Sequence, residues 1–462
     1  MTSRLSRRGF LGAPALAAAA PRRPNIVFII ADDLRHDALS ATGHPFARTP
    51  NIDRIAREGA LFENFFCTTP LCSPSRASFL TGRYAHHHRI INNDKIGHDF
   101  VSHTLVTWPR LLREAGYETA FIGKWHMGPD DSRRPGFDHW ISFRGQGLFI
   151  DPVVNENGVS RQLTGYMTDY LNQEAVRFLT RKRSRPFVLY LSHKAVHFPY
   201  LPARRHENLY AGRKPVYPSE SPGDLEGKPA LTRRVPEVDR LRLEGAVPEP
   251  AEPRRGRGRE RDAVALDQLR CLASVDEGAG MILDALRRLG ALDDTVVIFT
   301  SDNGYLLGEH GQFDQKRWAY EESIRIPFLL RYPRLVKAGT RVPGMTLNID
   351  VAPAMLGFAG VDWPEPFDGR DFRPLLEGTS APWREDFLAE YFAEKAGLRT
   401  PDWQAVRTAS WKYIHYPGLN GMDELYHLAS DPRELSNRIA DPSAADHLAA
   451  LRRRLRTLAR SR

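Results

Sequence analysis

Hydrophobic residues occur along this chain in short runs, and a cluster of polar residues follows each run. A run of about four to eight apolar residues between polar segments is typical of a buried strand in a parallel sheet. Patterns that indicate helices precede two of the runs, at 107–117 and 275–291. This alternation predicts an α/β fold, a wound and mostly parallel sheet with helices on both faces. The predicted strands are NIVFII (25–30), ETAFIG (118–123), PFVLYL (186–191) and TVVIFT (295–300).

Polar side chains stand directly after each of these predicted strands. In wound α/β sheets, ligands bind beyond the carboxyl ends of the strands, because those ends meet along one edge. The sequence therefore predicts a binding site at that edge. Its four clusters are Asp32-Asp33, Lys124-Trp125-His126, His193-Lys194 and Asp302-Asn303.

The pattern changes after about residue 345. An apolar helix pattern, a hairpin pattern and a charged terminal helix predict a smaller C-terminal α+β subdomain with a short antiparallel sheet, at 346–462. The larger domain then covers 24–345. Within it, residues 211–262 are rich in Pro, Arg, Glu and Gly without a clear period. They are predicted to form an irregular insertion, either beside a substrate or simply on the surface.

Composition is that of an ordinary globular protein and excludes two classes of partner. Of the 462 residues, 42% are hydrophobic and 26% are charged. The formal net charge is +9, yet no basic block interleaved with aromatic residues is present, so no nucleic-acid partner is expected. No apolar run approaches the length needed to cross a bilayer, so no stable membrane insertion is expected.

The first residues have the features of an export signal. Adjacent arginines at 7 and 8, a short apolar run and small residues before Pro21 fit a twin-arginine signal at 1–23. The alternative is a disordered Ala-rich tail. Export by this Tat route delivers folded protein and predicts a periplasmic or extracellular location.

Two pairs of oxygen donors at strand ends predict a metal site. Adjacent carboxylates repel each other and need a cation when they are partly buried. Three carboxylates and one amide oxygen suit Ca²⁺ or Mg²⁺ better than zinc, which favours His and Cys. For either pair alone, a capping or turn role is the better interpretation, but both pairs together favour a metal. The predicted ligands are Asp32, Asp33, Asp302 and Asn303.

Cys72 is one of three cysteines, with Cys67 and Cys271, so no disulfide framework is implied. It stands at a predicted helix start, where Ser73 can cap, Pro74 suits the first position and Gly82 closes the helix. Such a position either lowers the pKa of a thiol or binds an anion. The alternative is a buried helix with a packing cysteine.

Cationic and titratable side chains are predicted to surround the metal-binding oxygens at this edge of the sheet. Three carboxylates, one divalent metal and three basic side chains leave a net positive charge, which attracts an anionic oxyester. This charge does not distinguish sulfate from phosphate. The residues are Arg76, Lys124, His126, His193, Lys194, His197, His310 and Lys316.

The segment CSPSRASFLTGR, from Cys72 to Arg83, resembles the signature of the formylglycine-dependent (type I) sulfatases. The motifs ADD, GKWHMG, SHKAVHFP, TSDNG and the tail LYHLASDPRELSN are also similar to that family's and occur in its order. The resemblance implies the fold of the alkaline-phosphatase superfamily, with the catalytic sulfatase domain at 24–345.

The resemblance also implies a modification and a metal. A formylglycine-generating enzyme acting on residues 72–76 would oxidise Cys72 to formylglycine (3-oxoalanine), whose hydrate is the nucleophile. Ca²⁺, favoured over Mg²⁺, would be held by Asp32, Asp33, Asp302, Asn303 and the modified residue 72.

Further roles follow from the same resemblance. Arg76 would steady the hydrate, Lys124 would clamp sulfate oxygens and His126 would assist the release of sulfate. His197 and Lys316 would contact the sulfate and protonate the departing alcohol. Two further residues would be substrate-side or support the others: His193 and His310.

The substrate expected from the resemblance is a sulfated carbohydrate. The sequence looks most like bacterial N-acetylglucosamine-6-sulfatases and mucin-desulfating sulfatases. Two alternatives stay open: a phosphonate or phosphate ester hydrolase of the same superfamily, and a catalytically inactive glycan-binding relative. The Asn in TSDNG stands where phosphonate hydrolases commonly have His, which favours sulfate.

Overall fold

The computed structural model describes residues 23–93, 97–215, 217, 225–235, 261–363, 366–378, 382–394 and 399–460. The predicted export signal therefore lies outside the described residues, apart from Arg23. Most of the predicted insertion also lies outside them, and its described part includes a short helix at Pro229–Thr232. Among the described helices, none combines the length and the apolar character that crossing a bilayer requires.

A ten-stranded sheet forms the centre of the described structure, and it confirms the predicted mostly parallel α/β fold. All four strands predicted from the apolar runs are present and adjacent. The strand order is β13-β2-β12-β9-β1-β8-β4-β5-β6-β7. The strands are β1 (Asn25–Ala31), β2 (Ala60–Phe62), β4 (Glu118–Gly123), β5 (His139–Ser142), β6 (Val153–Glu156), β7 (Val159–Gln162), β8 (Phe187–Ser192), β9 (Thr295–Ser301), β12 (Phe328–Arg331) and β13 (Thr340–Val342).

Shorter strands pair outside this sheet. Two antiparallel strands, β10 and β11, follow β9, and the parallel pair of β3 and β14 joins two loops. Their bounds are β3 (Phe65–Phe66), β10 (Leu306–Leu307), β11 (Phe313–Gln315) and β14 (Thr346–Leu347).

Helices cover both faces of the sheet, as predicted. Alternate residues of β1 enter two different hydrophobic cores: Phe28 packs with one and Ile29 with the other. The described helices are α1 (Pro50–Arg57), α2 (Cys72–Thr81), α3 (Ala85–His88), α4 (His98–Thr104), α5 (Trp108–Glu114), α6 (Met167–Leu179), α7 (Pro229–Thr232), α8 (Arg261–Arg288), α9 (Glu321–Ile324), α10 (Val351–Ala359), α11 (Arg373–Leu376) and α12 (Ala445–Arg460). The first core contains residues of α2, α5 and α10, and the second contains residues of α1, α6 and α8.

The parallel register brings the predicted polar clusters together. β9, β1, β8 and β4 are neighbours, and the last residues of the strands pair: Ala31 with Ser301, and Gly123 with Ser192. The residues that follow each strand therefore leave the sheet side by side.

A four-stranded antiparallel sheet forms the smaller C-terminal part. The sequence predicts a hairpin here, and the structure adds a strand before it. The strands are β15 (Asp386–Tyr391), β16 (Trp403–Thr408), β17 (Trp411–His415) and β18 (Glu424–His427). One face packs against α12 through Leu451 and Leu455, while the other joins the first core of the large sheet through Trp403. The domain boundary at 345/346 stays a prediction.

Candidate active site

Helix α2 presents Cys72 as its first residue, at the carboxyl edge of the large sheet. Leu71 precedes the helix in an extended conformation, and Gly82 ends it with φ 68°. The prediction that Ser73 caps the helix is wrong: its hydroxyl instead donates to the His126 carbonyl at 2.5 Å. Asn93 satisfies a free backbone donor at the helix start, because its Oδ1 accepts the Ser73 N–H at 3.0 Å.

Cys72 is fully buried between acidic and basic groups. Its Sγ lies 3.5 Å from Asp32 Oδ1, and Lys316 Nζ donates to it at 3.0 Å. Burial and the Asp32 charge raise the pKa of the thiol to about 12, although the nearby Lys124 and Lys316 oppose this shift. This direction favours the neutral thiol in the unmodified residue and gives no support to a thiol activated by the helix start.

Three buried carboxylates meet beside Cys72. Oxygens of Asp32, Asp33 and Asp302 lie within 4.8 Å of one another. Asp33 adopts φ 61°, which turns the chain after β1 so that its N–H donates to Asp302 Oδ1 at 3.1 Å. The Asn303 amide donates to Asp33 Oδ1 at 2.7 Å, while its own Oδ1 is buried without a hydrogen-bond partner among the described residues. An orphaned amide oxygen next to three carboxylates fits a hard divalent cation.

Burial and mutual repulsion oppose ionisation of these carboxyl groups, as their pKa values show. Burial and the Asp32 charge raise the pKa of Asp302 to about 7, and burial also raises the pKa of Asp33. For Asp32, burial acts in the same direction, but Lys124 and other nearby cations outweigh it and hold its pKa well below the usual value. A cation between the carboxylates would favour the ionised form of all three.

Basic side chains from several elements pair with the carboxylates. Arg76 reaches across from α2: its Nε donates to Asp302 Oδ2 at 2.9 Å, and its Nη1 donates to the Lys124 carbonyl at 2.9 Å. The Lys124 ammonium pairs with Asp32, and the Lys316 ammonium pairs with Asp33. The fold thus gathers Arg76, Lys124 and Lys316 around one acidic centre, and all three are buried.

Two of the predicted histidines also border this centre. His126 Nδ1 lies 3.4 Å from Ser73 Oγ, and His197 Nε2 lies 3.6 Å from Asp33 Oδ2. His197 Nδ1 is 2.9 Å from the Phe198 carbonyl, which can only accept, so the proton of neutral His197 is on Nδ1. Burial and the Lys124 charge hold the pKa of His126 well below its usual value, and burial does the same for His197.

Comparison with known proteins assigns the chain to a family. A family model described as Sulfatase matches residues 24–361, and a model described as N-sulphoglucosamine sulphohydrolase, C-terminal, matches residues 308–461. The chain belongs to the sulfatase family. This sulfatase is accordingly an enzyme, a hydrolase of sulfuric esters.

Relatives are similar to the sulfatase over most of its length. An N-acetylglucosamine-6-O-sulfatase of Bacteroides thetaiotaomicron is 34% identical over 470 residues, covering 90% of this chain and 82% of that protein. An ulvan-active sulfatase of Formosa agariphila is 26% identical, covering 91% and 78%. A solved structure of a protein in complex with its substrate D-glucosamine-2-N,6-O-disulfate aligns with TM-score 0.82 and 32% identity, covering 94% of this chain and 97% of that one.

The structure places the last two predicted histidines of the sulfatase differently. His193 is fully buried, its ring nitrogens lack hydrogen-bond partners among the described residues, and burial and the Arg76 charge lower its pKa to about 3. His310 is also fully buried. Its ring stacks on that of Tyr320 with the ring centres 3.9 Å apart, and its Nε2 lies 3.3 Å from Glu322 Oε2. Its described partners therefore lie in the segment 320–322 rather than around Cys72.

Three residues that position this site were not predicted from the sequence. Ser192, the last residue of β8, accepts from Arg76 Nη1 at 2.5 Å and donates to the Lys124 carbonyl at 2.7 Å. Asn93 and Glu394 hold the start of α2 and the loop that carries Lys316. Ser192 is the first residue of the motif SHKAVHFP and stands at a strand end, which offered a signal, whereas Asn93 and Glu394 stand in no motif named above.

Proposed function

We propose that this sulfatase removes the sulfate ester of a sulfated glucosamine, with N-acetylglucosamine-6-sulfate as the expected unit. The observation that carries this proposal is the alignment with a protein in complex with D-glucosamine-2-N,6-O-disulfate, which covers nearly the whole of both chains. The 34% identical N-acetylglucosamine-6-O-sulfatase supports the same substrate class. Family membership alone does not select a sugar, since substrate specificity depends on loops around the site.

We propose that the acidic centre binds a divalent metal ion. Asp32, Asp33, Asp302 and Asn303 would hold Ca²⁺, in preference to Mg²⁺, together with the modified residue 72. The buried orphan Oδ1 of Asn303 and the three clustered carboxylates fit this ion. When bound, the ion supplies Lewis-acid stabilisation of the negative charge of the sulfate.

We further propose that a formylglycine-generating enzyme converts Cys72 to formylglycine before the enzyme is active. The signature from Cys72 to Arg83 supports this, and so does the neutral state of the buried thiol, which makes cysteine itself a poor nucleophile. A hydrated aldehyde supplies one hydroxyl that attacks sulfur and a second that lets residue 72 release sulfate without attack of water on sulfur.

Side chains of this chain then bind the sulfate and handle protons. Lys316 lies 3.0 Å from the Sγ of residue 72, and its pairing with Asp33 raises its pKa despite burial, so it stays charged beside the reacting atoms. Lys124 and Arg76 add positive charge that stabilises the developing sulfate. His197 keeps Nδ1–H on the Phe198 carbonyl, so its Nε2 exchanges protons with the substrate. His126 assists the release of sulfate.

A screen of position-defined sulfated sugars tests the substrate. The purified enzyme, with residue 72 modified, is incubated with glucosamine and galactose derivatives that carry a single sulfate at different positions, and released sulfate is measured. We expect the highest kcat/KM on N-acetylglucosamine-6-sulfate. A higher value on a galactose sulfate, or no turnover of any sulfated sugar, contradicts the proposal; the latter result favours an inactive glycan-binding relative.

A second experiment tests the ester class. Phosphonate monoester hydrolase of Agrobacterium radiobacter shares the fold at TM-score 0.74 and 24% identity, which by itself carries no activity to this chain. Steady-state rates on matched aryl sulfate, phosphate and phosphonate esters separate the classes. We expect the sulfate to react fastest, and a clear preference for a phosphorus ester would contradict the proposal.

We also propose that the Tat route exports the enzyme, as the paired arginines of the predicted signal indicate. Replacing Arg7 and Arg8 by lysine should retain the enzyme inside the cell, which fractionation and sulfatase assays measure. Unchanged export of this variant would show that another route operates.

A further inference from the structure

A groove lined by basic residues lies at the edge of the large sheet opposite the active site. Its walls come from the start of β1, the loop 179–187 between α6 and β8, and residues after α8. Its volume is about 680 Å³, which is within the roughly 300–1,000 Å³ of small-molecule sites. Because β1 spans the seven residues Asn25–Ala31, the two edges are about 20 Å apart. We call this site the basic groove.

The charge of the basic groove is largely uncompensated. Asp294 is the one acidic residue among its described lining residues, and it pairs with Arg334. Within the part of the chain that the structure describes, no acidic residue forms an ion pair with Arg181, Lys182 or Arg185, and all three are exposed. The cationic lining residues are Arg23, Arg181, Lys182, Arg183 and Arg185.

Arg183 provides a fixed donor inside this groove. Its guanidinium lies 4.5 Å from the ring centres of both Phe178 and Phe187, and only 11% of its side chain is exposed. Glu118 lies 3.3 Å from its Nε and its Nη2 donates to the Phe178 carbonyl, but its buried Nη1 has no hydrogen-bond partner among the described residues. A buried N–H group of a guanidinium is costly when it lacks a partner, and an anionic oxygen bound in the groove would satisfy Nη1.

We propose that the basic groove is a second binding site of this enzyme, and that it binds a sulfated segment of a glycan chain. The chemistry it recognises is a row of sulfate groups, which meet three exposed cations and the buried Arg183 donor. The choice of a sulfated glycan over other polyanions rests on the proposed function. A flat membrane surface fits less well, because the Arg183 donor lies within a concavity.

Binding of a sulfated segment in the basic groove attaches the enzyme to its polymeric substrate at a point away from the active site. Binding at two points raises the effective concentration of substrate at the active site without any new catalytic contact. Short substrates that cannot span the two edges gain nothing from the groove. The benefit is therefore expected on polymers only.

Binding stoichiometry tests this site. The Cys72→Ala protein, which cannot turn substrate over, is titrated by calorimetry with a sulfated glucosamine-containing hexasaccharide. We expect two bound hexasaccharides per chain, and one after Arg181, Lys182 and Arg185 are also replaced by alanine. The loss of three exposed charge contacts weakens the groove on the order of tenfold, so a titration at concentrations near the Kd of the unaltered groove no longer detects the second hexasaccharide. The desulfated hexasaccharide should not bind the groove.

A matched control removes the same charge elsewhere. Arg453, Arg456 and Arg460 are exposed on α12, and the structure shows no ion pair for them with any described residue, so their triple alanine variant should keep both sites. Equal losses in the two triple variants, or two bound hexasaccharides in the groove variant, would overturn the proposal. So would binding of phosphatidylserine vesicles through the same three cations in preference to the hexasaccharide.

Activity assays distinguish a wrong assignment of the basic groove from a wrong proposed function. In the background with an intact residue 72, the groove variant should hydrolyse a small aryl sulfate at an unchanged rate, while KM for a sulfated polymer rises. A protein that binds two hexasaccharides but hydrolyses no sulfated glucosamine would support the groove and contradict the proposed function. A protein that hydrolyses sulfated glucosamine but binds only one hexasaccharide would support the proposed function and contradict the groove as a binding site.

Discussion

Arg317 and Glu394 form an ion pair that joins the active site to the C-terminal sheet. Arg317 Nε lies 2.7 Å from Glu394 Oε1, and the other carboxylate oxygen accepts the Asn93 N–H at 2.8 Å. Asn93 in turn accepts the N–H of Ser73. One carboxylate from the loop after β15 therefore positions both the residue next to Lys316 and the start of the helix that carries Cys72.

Replacing Glu394 by glutamine should lower kcat while leaving the fold intact. The amide cannot pair with the charge of Arg317, so Lys316 shifts relative to residue 72, and a displacement of about 1 Å at a reacting group costs on the order of 100-fold in rate. We expect kcat to fall about 10- to 100-fold with little change in KM. Rates on an aryl sulfate, together with Tm, measure this.

The control for this variant is Glu377→Gln, which changes an exposed carboxylate in the same part of the chain. It should leave kcat unchanged. A Glu394→Gln variant with normal kcat would show that the ion pair does not position the site. A fall in kcat that matches a large fall in Tm would instead indicate a purely structural role.

Replacing Cys72 by alanine should abolish turnover and remove an aldehyde from the protein. Loss of a nucleophile lowers kcat on the order of 10³-fold or more. An aldehyde-reactive hydrazide should label the wild-type peptide that contains residue 72 and leave the variant unlabelled, as peptide mass spectrometry can show. Cys67→Ala is the matched control, because Cys67 is equally buried but stands before the signature. Labelling of the Cys72→Ala protein at wild-type levels would rule out residue 72 as the aldehyde.

Removal of divalent metal should destabilise the enzyme as well as inactivate it. Without a cation, the ionised forms of Asp32, Asp33 and Asp302 repel one another in a buried site. Restoring Ca²⁺ at about 100 times its Kd adds about 2.7 kcal/mol, which corresponds to a rise in Tm of about 3 °C for a chain of this size. Differential scanning calorimetry after treatment with a chelator measures the shift.

The Asn303→Ala variant tests the ligand set in the same experiment. It loses the orphan amide oxygen, so its Tm should respond to Ca²⁺ less than that of the wild-type enzyme. Identical responses of the two proteins would exclude Asn303 as a ligand. A larger response to Mg²⁺ than to Ca²⁺ would reverse the proposed preference.

Acid should weaken the contact between the large domain and the C-terminal sheet through Glu321. Burial disfavours its charge, but Arg407 at 3.2 Å and Lys412 at 2.9 Å prevail and hold the pKa of Glu321 below its usual value of 4.5. A carboxyl group with a lower pKa in the folded state stabilises the protein fully above about pH 4.5 and loses that contribution as the pH falls towards the folded-state pKa.

Replacing Glu321 by glutamine should therefore cost about 3 kcal/mol of unfolding free energy at pH 7. The difference from wild type should shrink at pH 3, where denaturant titrations at both pH values measure it. Glu207→Gln, at an exposed carboxylate, should cost little at either pH. A difference that is constant or grows as the pH falls would contradict the assigned direction of the pKa shift.

The large sheet and its site edge were predictable because their signals are local. Runs such as NIVFII and TVVIFT have apolar interiors, as is typical of strands buried on both faces, and Asp32 and Asp302 follow the two strands directly. The strand β15 was missed because it lies among Pro- and Gly-rich turns and carries charged residues. Capping by Ser73 was predicted wrongly, since the His126 carbonyl 53 residues away captures its hydroxyl.

The sequence by itself therefore determined the elements, the order of the polar clusters and the signature around Cys72, since these depend on neighbouring residues. Only the tertiary structure decided that Asn93 and Glu394, 301 residues apart in the chain, support one helix start. It also decided that Asn303 keeps an oxygen with no hydrogen-bond partner among the described residues and that His310 contacts Tyr320 and Glu322. Such partners are chosen by packing between distant segments, and no local pattern of residue types encodes that choice.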